Sequence, residues 1–130
     1  MEGNDKNEGA ASAGRVLIVD DESVVRFSFR AVLQKSGFTV EEADGAQRAL
    51  DKIHEFAPQV VLLDVLMPGV TGNELLETIK EWKPEIHVIM VTSVDTEELK
   101  KECLSKGAFE VMIKPVSMEQ LVSTIRKALG

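Results

Sequence analysis

The chain reads as an α/β domain on a parallel sheet with helices on both faces, and three observations predict it. Short β-branched runs alternate with amphipathic stretches from Arg15 onward, the pattern of repeated βα units. The runs at 15–19 and 59–63 are apolar on both faces, as strands covered by helices on each side must be. Four runs end in polar residues, Asp20, Asp64, Thr92 and Lys114, spaced by roughly two, one and one βα repeats, so right-handed crossovers return each to the same end of the sheet.

The first strand is Arg15 to Val19, followed by Asp20-Asp21-Glu22 and a helix over 23–35 with Ser23 as its N-cap. Gly37 follows that helix where a left-handed residue is wanted. The second strand, 38–42, alternates and carries Glu41 and Glu42, so it belongs at an edge. A helix over 45–56 leads to the third strand, 59–63, which runs into Asp64. A helix over 72–81 precedes the fourth strand, 87–91, and Thr92-Ser93. Thr96 caps a helix over 96–105, with Gly107 beyond its end. The fifth strand, 110–113, runs into Lys114-Pro115, and Ser117, with Gln120 three residues on, opens a last helix over 118–129. Residues 1–14 are rich in Gly, Ala, Ser, Asn and charge without periodicity and read as a disordered tail or leader; 15–130 form one domain.

Composition narrows the function. With 130 residues, 22 acidic against 15 basic side chains and a net charge of −7, the chain lacks the basic face that nucleic acid requires. No apolar run approaches a membrane span, and no basic segment followed by an apolar one marks a signal peptide. The single cysteine, Cys103, cannot form an internal disulfide; it reads as a packing residue in a helix and fits the cytoplasm.

Ligands of open α/β sheets sit outside the carboxyl ends of the strands, where the four polar residues gather. Adjacent Asp20 and Asp21 repel unless a cation neutralises them, and Mg²⁺, which takes oxygen ligands and keeps several waters, suits them best. The same residues also fit plain capping and dipole compensation of the next helix. Asp64 ends an otherwise buried run, where a carboxylate is costly unless paired or metal-bound, and aspartate is a nucleophile in some phosphoryl transfers. Lys114 follows three apolar residues and needs an anion nearby. Pro115 gives it a constrained turn, with cis available to the X–Pro bond. His54, within a helix, and His87, at the far end of its strand, stand apart from the cluster.

From Arg15 to Gly130 the chain resembles the receiver domain of bacterial two-component response regulators. The likeness lies in Val-Asp-Asp-Glu at 19–22, Asp64 through Gly72, Val-Thr-Ser at 91–93, Lys106 through Phe109, and Lys114-Pro115. It implies a flavodoxin-like (βα)5 fold with strand order 2-1-3-4-5. It implies that Asp64 accepts a phosphoryl group from a sensor histidine kinase or histidine phosphotransfer protein. By the same likeness Asp21 would bind Mg²⁺ directly and Asp20 through water, with Asp64 and the Leu66 carbonyl completing the protein ligands. Lys114 would pair with Asp64 before transfer and with a phosphoryl oxygen after it, and the Thr92 hydroxyl would swing toward that group. The likeness thus implies a signalling switch, not a multiple-turnover enzyme. It would act on a downstream effector or output domain, with phosphorylation-dependent dimerisation open to it.

Three positions depart from the family's usual pattern. Val111 stands where an aromatic residue is usual, so a switch must run through the Thr92 loop and the helices at 96–105 and 118–129. Leu66 and Val94 stand at positions that modulate self-hydrolysis; neither side chain can orient water, which implies a phosphorylated form lasting minutes to hours. Val116 replaces a frequent Phe, a packing change. Other classes compete. An Asp-nucleophile phosphatase would want a second Asp where Leu66 stands, and a flavin or nucleotide module would want a Gly-rich loop where Asp-Asp-Glu-Ser stands. The remaining alternative is a phosphorylation-independent interaction module on the same fold.

Overall fold

The structure, a computed structural model, describes residues 12–130. In chain order the elements are β1 (Arg15–Val19), α1 (Ser23–Lys35), β2 (Thr39–Ala43), α2 (Ala46–Phe56), β3 (Val60–Asp64), α3 (Gly72–Trp82), β4 (His87–Thr92), α4 (Glu97–Ser105), β5 (Glu110–Ile113) and α5 (Met118–Leu129). All ladders are parallel and the order is β2-β1-β3-β4-β5. From β1 the chain moves first to one side and then, at β3, to the other. The crevice between the carboxyl ends of β1 and β3 is therefore the topological switch point.

Alternation of side chains divides the interior into two layers. Leu17, Val19, Val61, Leu63, Val88 and Met90 face α2, α3 and α4, where Ile53, Leu76, Ile79 and Cys103 complete the packing. Val16, Ile18, Val60, Leu62, Ile89 and Val91 meet Phe29, Leu33, Leu121 and Ile125 of α1 and α5. Both faces of β1 and β3 are thus consumed, and the only buried polar side chains among the described residues stand at or just past strand ends: Asp20, Asp64 and Thr92. Each fully buried Leu or Ile contributes about 1.5–3 kcal/mol, which is what holds these ends in place.

The element boundaries match the sequence expectation to within a residue, and the differences have local causes. The second strand starts at Thr39 because the Phe38 N–H is spent on the Leu33 carbonyl, closing α1, while Thr39 N–H donates to Gly14 O. Ser23 is not the N-cap of α1. Glu22 holds that place without a side-chain bond, because Asp20 Oδ1 accepts the Glu22 N–H and Arg26 N–H donates to Glu22 O one residue earlier than expected. Thr96 and Ser117 cap as expected, accepting from Leu99 and Gln120 N–H. Gly37 and Gly107 both have positive φ, at 97° and 103°. Residues 1–11 of the expected tail lie outside the described residues. Of the rest, Ala13 N–H donates to Gly37 O, so the chain already lies along the β2 edge before β1 begins. No helix among the described residues is long and apolar enough to cross a membrane.

Candidate functional site

Three of the four strand-end residues use one device. The side-chain oxygen of each accepts the N–H of the residue two positions on: Asp20 Oδ1 from Glu22 (2.9 Å), Asp64 Oδ1 from Leu66 (3.2 Å), Thr92 Oγ1 from Val94 (3.0 Å). Such turns bend the chain sharply at the top of the sheet and leave the second carboxylate oxygen of each Asp free. Lys114 answers them. Its Nζ lies 3.0 Å from Asp20 Oδ2 and 3.8 Å from Asp64 Oδ2, and its backbone N–H donates to Thr92 O, tying it to the end of β4. The Lys114–Pro115 peptide is cis.

The resemblance implied a Lys114–Asp64 pair before transfer; the closer partner here is Asp20. Asp20 is the more completely anchored acceptor, with its N–H on Ala43 O (3.2 Å) and its carbonyl receiving Arg26 Nη1 (2.7 Å). The ammonium settles where its anion is fixed, still within reach of Asp64.

Asp21 is exposed, yet one oxygen from each of Asp20, Asp21 and Asp64 lies within 4.8 Å of the others. Three carboxylates thus face one ammonium. Asp64 bears the imbalance: burial and the neighbouring Asp20 charge push its carboxyl up to about 6, against the opposing pull of Lys114 and the Leu66 N–H. The three clustered carboxylates could hold a metal ion, and an all-oxygen donor set is the kind Mg²⁺ takes. Asp20, Asp21 and Asp64 are the carboxylates that would hold it, and the Leu66 carbonyl is the further ligand that the resemblance implies.

Gly72, at the start of α3, lies against the backbone of the Asp64 strand end. A Cβ there would lie 2.2 Å from the Asp64 carbonyl oxygen and 2.7 Å from Val65 Cα, and the Gly72 N–H donates to Val65 O (2.9 Å). The first residue of α3 is pressed onto the backbone beneath the acid, so glycine is required by contact. Thr71 and Glu74 fix that helix start through a reciprocal capping box, whose Thr-x-x-Glu signature was readable in the chain. Sequence reasoning missed Arg26 and Glu42; one sits inside a helix and the other on an edge strand, and no local pattern links them.

The remaining residues are away from the cluster, as expected. His54 is exposed on α2, and His87, at the start of β4, meets Phe109 edge-on at 5.6 Å. Val111 is buried and brings no ring to the β5 face. Trp82 ends α3 at the opposite pole, with Lys83 Nζ 5.3 Å from its ring.

Comparison with known proteins identifies the family. The response regulator receiver domain profile matches residues 16–126. A chemotaxis protein CheY of Bacillus subtilis is 30% identical over 119 residues, covering 91% of this chain and 99% of that protein. A cyclic di-GMP phosphodiesterase of Thermotoga maritima is 37% identical over 114 residues, 88% of this chain but 30% of its own length. Among solved structures, a CheY-like receiver domain from Methanospirillum hungatei superposes with a TM-score of 0.85 at 34% identity, covering 89% of this chain and 93% of that one. The chain belongs to the response regulator receiver domain family of two-component signalling. It spans nearly all of one relative and under a third of another.

Proposed function

We propose that this chain is a phosphoacceptor switch in which Asp64 takes a phosphoryl group from a phosphohistidine on a sensor kinase or phosphotransfer protein. The observation that carries the reading is the convergence of Asp20, Asp21, Asp64 and Lys114 at one switch point, with three carboxylates against one ammonium. Asp64 Oδ2, free of backbone hydrogen bonds, attacks phosphorus in line as the P–N bond breaks, and the donor imidazole keeps the electron pair and takes up a proton. Phosphoryl transfer of this kind is mostly positioning and charge neutralisation. Bound Mg²⁺ would supply charge neutralisation on the transferring oxygens. Lys114 stabilises another of those oxygens, a short move from its place between Asp20 and Asp64. Thr92 releases the Val94 N–H to donate its hydroxyl to the new group, and the loop after β4 follows it. That movement, handed to α4, is the output.

A protein donor is supported by the apolar rim of the same pole. Val24 and Phe27 on α1 are 75% and 72% exposed, and Leu66 and Val70 on the loop after β3 are exposed too. Large apolar side chains left in water around a charged pocket fit a macromolecular partner better than a small substrate. Leu66, two residues after the acid, and the half-buried Val94, on the loop after β4, carry no polar side-chain atom, which supports slow hydrolysis of the phosphorylated form.

The test is intact mass after incubation with a small acyl-phosphate donor and Mg²⁺. The expected result is gain of one phosphoryl group, lost without Mg²⁺ or in Asp64→Asn, decaying over minutes to hours. No gain would return the chain to a phosphorylation-independent binding module. Decay within seconds would remove the slow-hydrolysis reading alone.

A further inference from the structure

We infer that Arg26 is a positioning residue of the acid pocket, holding the Asp20–Asp21 peptide in the orientation that brings the Asp21 carboxylate to the cation site. The inference rests on the reading of that pocket given above.

Arg26 lies in the first turns of α1 with its side chain only 16% exposed, and its guanidinium is spent in two directions. Nη1 donates to the Asp20 carbonyl oxygen at 2.7 Å, and Nε donates to Glu42 Oε1 at 3.0 Å. Glu42 stands on the edge strand β2 and also receives Arg30 of α1. Burial works to raise its carboxyl, but hydrogen bonds from Arg30 and Arg26 hold it below the ordinary range, so it stays an anion. The next residue of β2, Ala43, accepts the Asp20 N–H. One strand therefore grips both sides of Asp20: its N–H directly, its carbonyl through Glu42 and Arg26.

The geometry matters because a peptide group is planar. Anchoring the Asp20 carbonyl also sets the direction of the Asp21 N–H in the same plane and so restricts where the Asp21 chain can lead. Asp21 has no burial of its own to hold it, yet it converges with two buried carboxylates. A planar fork with several donors can span a carbonyl and a carboxylate at once; an ammonium serves such a bridge poorly.

Positioning and simple electrostatics predict opposite signs. If Arg26 were only a nearby positive charge, its removal would tighten Mg²⁺ binding. If it holds the Asp20–Asp21 peptide, removal weakens it, by roughly tenfold for a partner one step behind the ligands. The experiment is calorimetric titration of the full chain with Mg²⁺ alone, at a temperature well below unfolding, for wild type, Arg26→Met, Arg26→Lys and Arg48→Met. Arg48→Met removes the same charge from an exposed pair with Asp44. Expected are a roughly tenfold higher dissociation constant in Arg26→Met, weaker binding also in the charge-conserving Arg26→Lys, and no change in Arg48→Met. In phosphoryl uptake the Mg²⁺ half-saturation should rise while the rate at saturating Mg²⁺ holds. Should Arg26→Met fail to fold, Arg26→Lys carries the test, since weakening there is geometric. Unchanged or tighter Mg²⁺ binding in a folded Arg26 variant overturns the inference. No Mg²⁺ binding by the wild type overturns the pocket reading itself, and the inference with it.

Discussion

The two poles of the sheet are furnished with charge in opposite ways. At the amino pole, where helices α2 to α5 deliver their carboxyl ends, cations answer backbone carbonyls: Arg15 Nε donates to Ala57 O, and Lys80 Nζ to Pro84 O and Ile86 O. Those pairings suit the negative ends of helix dipoles and leave little over. At the carboxyl pole the charges answer one another, and they do not balance: Asp20 and Asp64 share Lys114, and the Asp21 carboxylate joins the same cluster. One pole sets its cations against backbone carbonyls; the other is built with a surplus of carboxylate.

The largest effect expected from breaking this contrast is Gly72→Ala. The added methyl meets the Asp64 carbonyl at 2.2 Å, so α3 or the β3 end must shift, and chemical denaturation should show a loss of about 3 kcal/mol with weakened Mg²⁺ binding. The next concerns the surplus itself. Because the folded Asp64 carboxyl titrates at about 6, above its ordinary 3.8, the folded state holds its proton more tightly than the unfolded one. Stability from this group is full below about pH 4 and is lost as pH rises through 6, so it costs about 1–3 kcal/mol at neutral pH. In a chelator at pH 7, Asp64→Asn should therefore be more stable than wild type by about that amount, with the difference vanishing at pH 4; Mg²⁺ should restore the wild type alone. Equal stability at both pH values would mean that the carboxylate is not under strain. At the amino pole, Ala57 takes φ 52°, a left-handed angle that glycine adopts freely, and Ala57→Gly should gain about 0.5–1 kcal/mol without touching phosphoryl uptake. The smallest effect is His54→Ala, expected within about 0.5 kcal/mol of wild type and silent in Mg²⁺ titration.

What could be read before folding follows the same division. Residues that work through local pattern were legible: apolar runs gave the strands, and Asp20, Asp64, Thr92 and Lys114 stood out because polar groups at the ends of buried runs demand a reason. Thr96, Ser117, Gly37 and Gly107 announced their turns by type. Arg26 and Glu42 did not, since an Arg in a helix and a Glu on an edge strand are unremarkable until the β1–β2 register sets Val19 beside Ala43. Gly72 was visible, but its reason, a contact with backbone eight residues earlier, exists only in three dimensions. Ser23 misled because side-chain type suggested a cap that the Asp20 turn had already made unnecessary.

The chain's single tryptophan gives these experiments a practical separation. Trp82 is the last residue of α3, 42% exposed, at the pole away from the acids. Its emission follows loss of the helix from the sheet and takes little direct influence from what occupies the far crevice. A fluorescence melt therefore reads whether the molecule is folded and a calorimetric titration what it has bound, the two being coupled only through the stability that a bound cation adds.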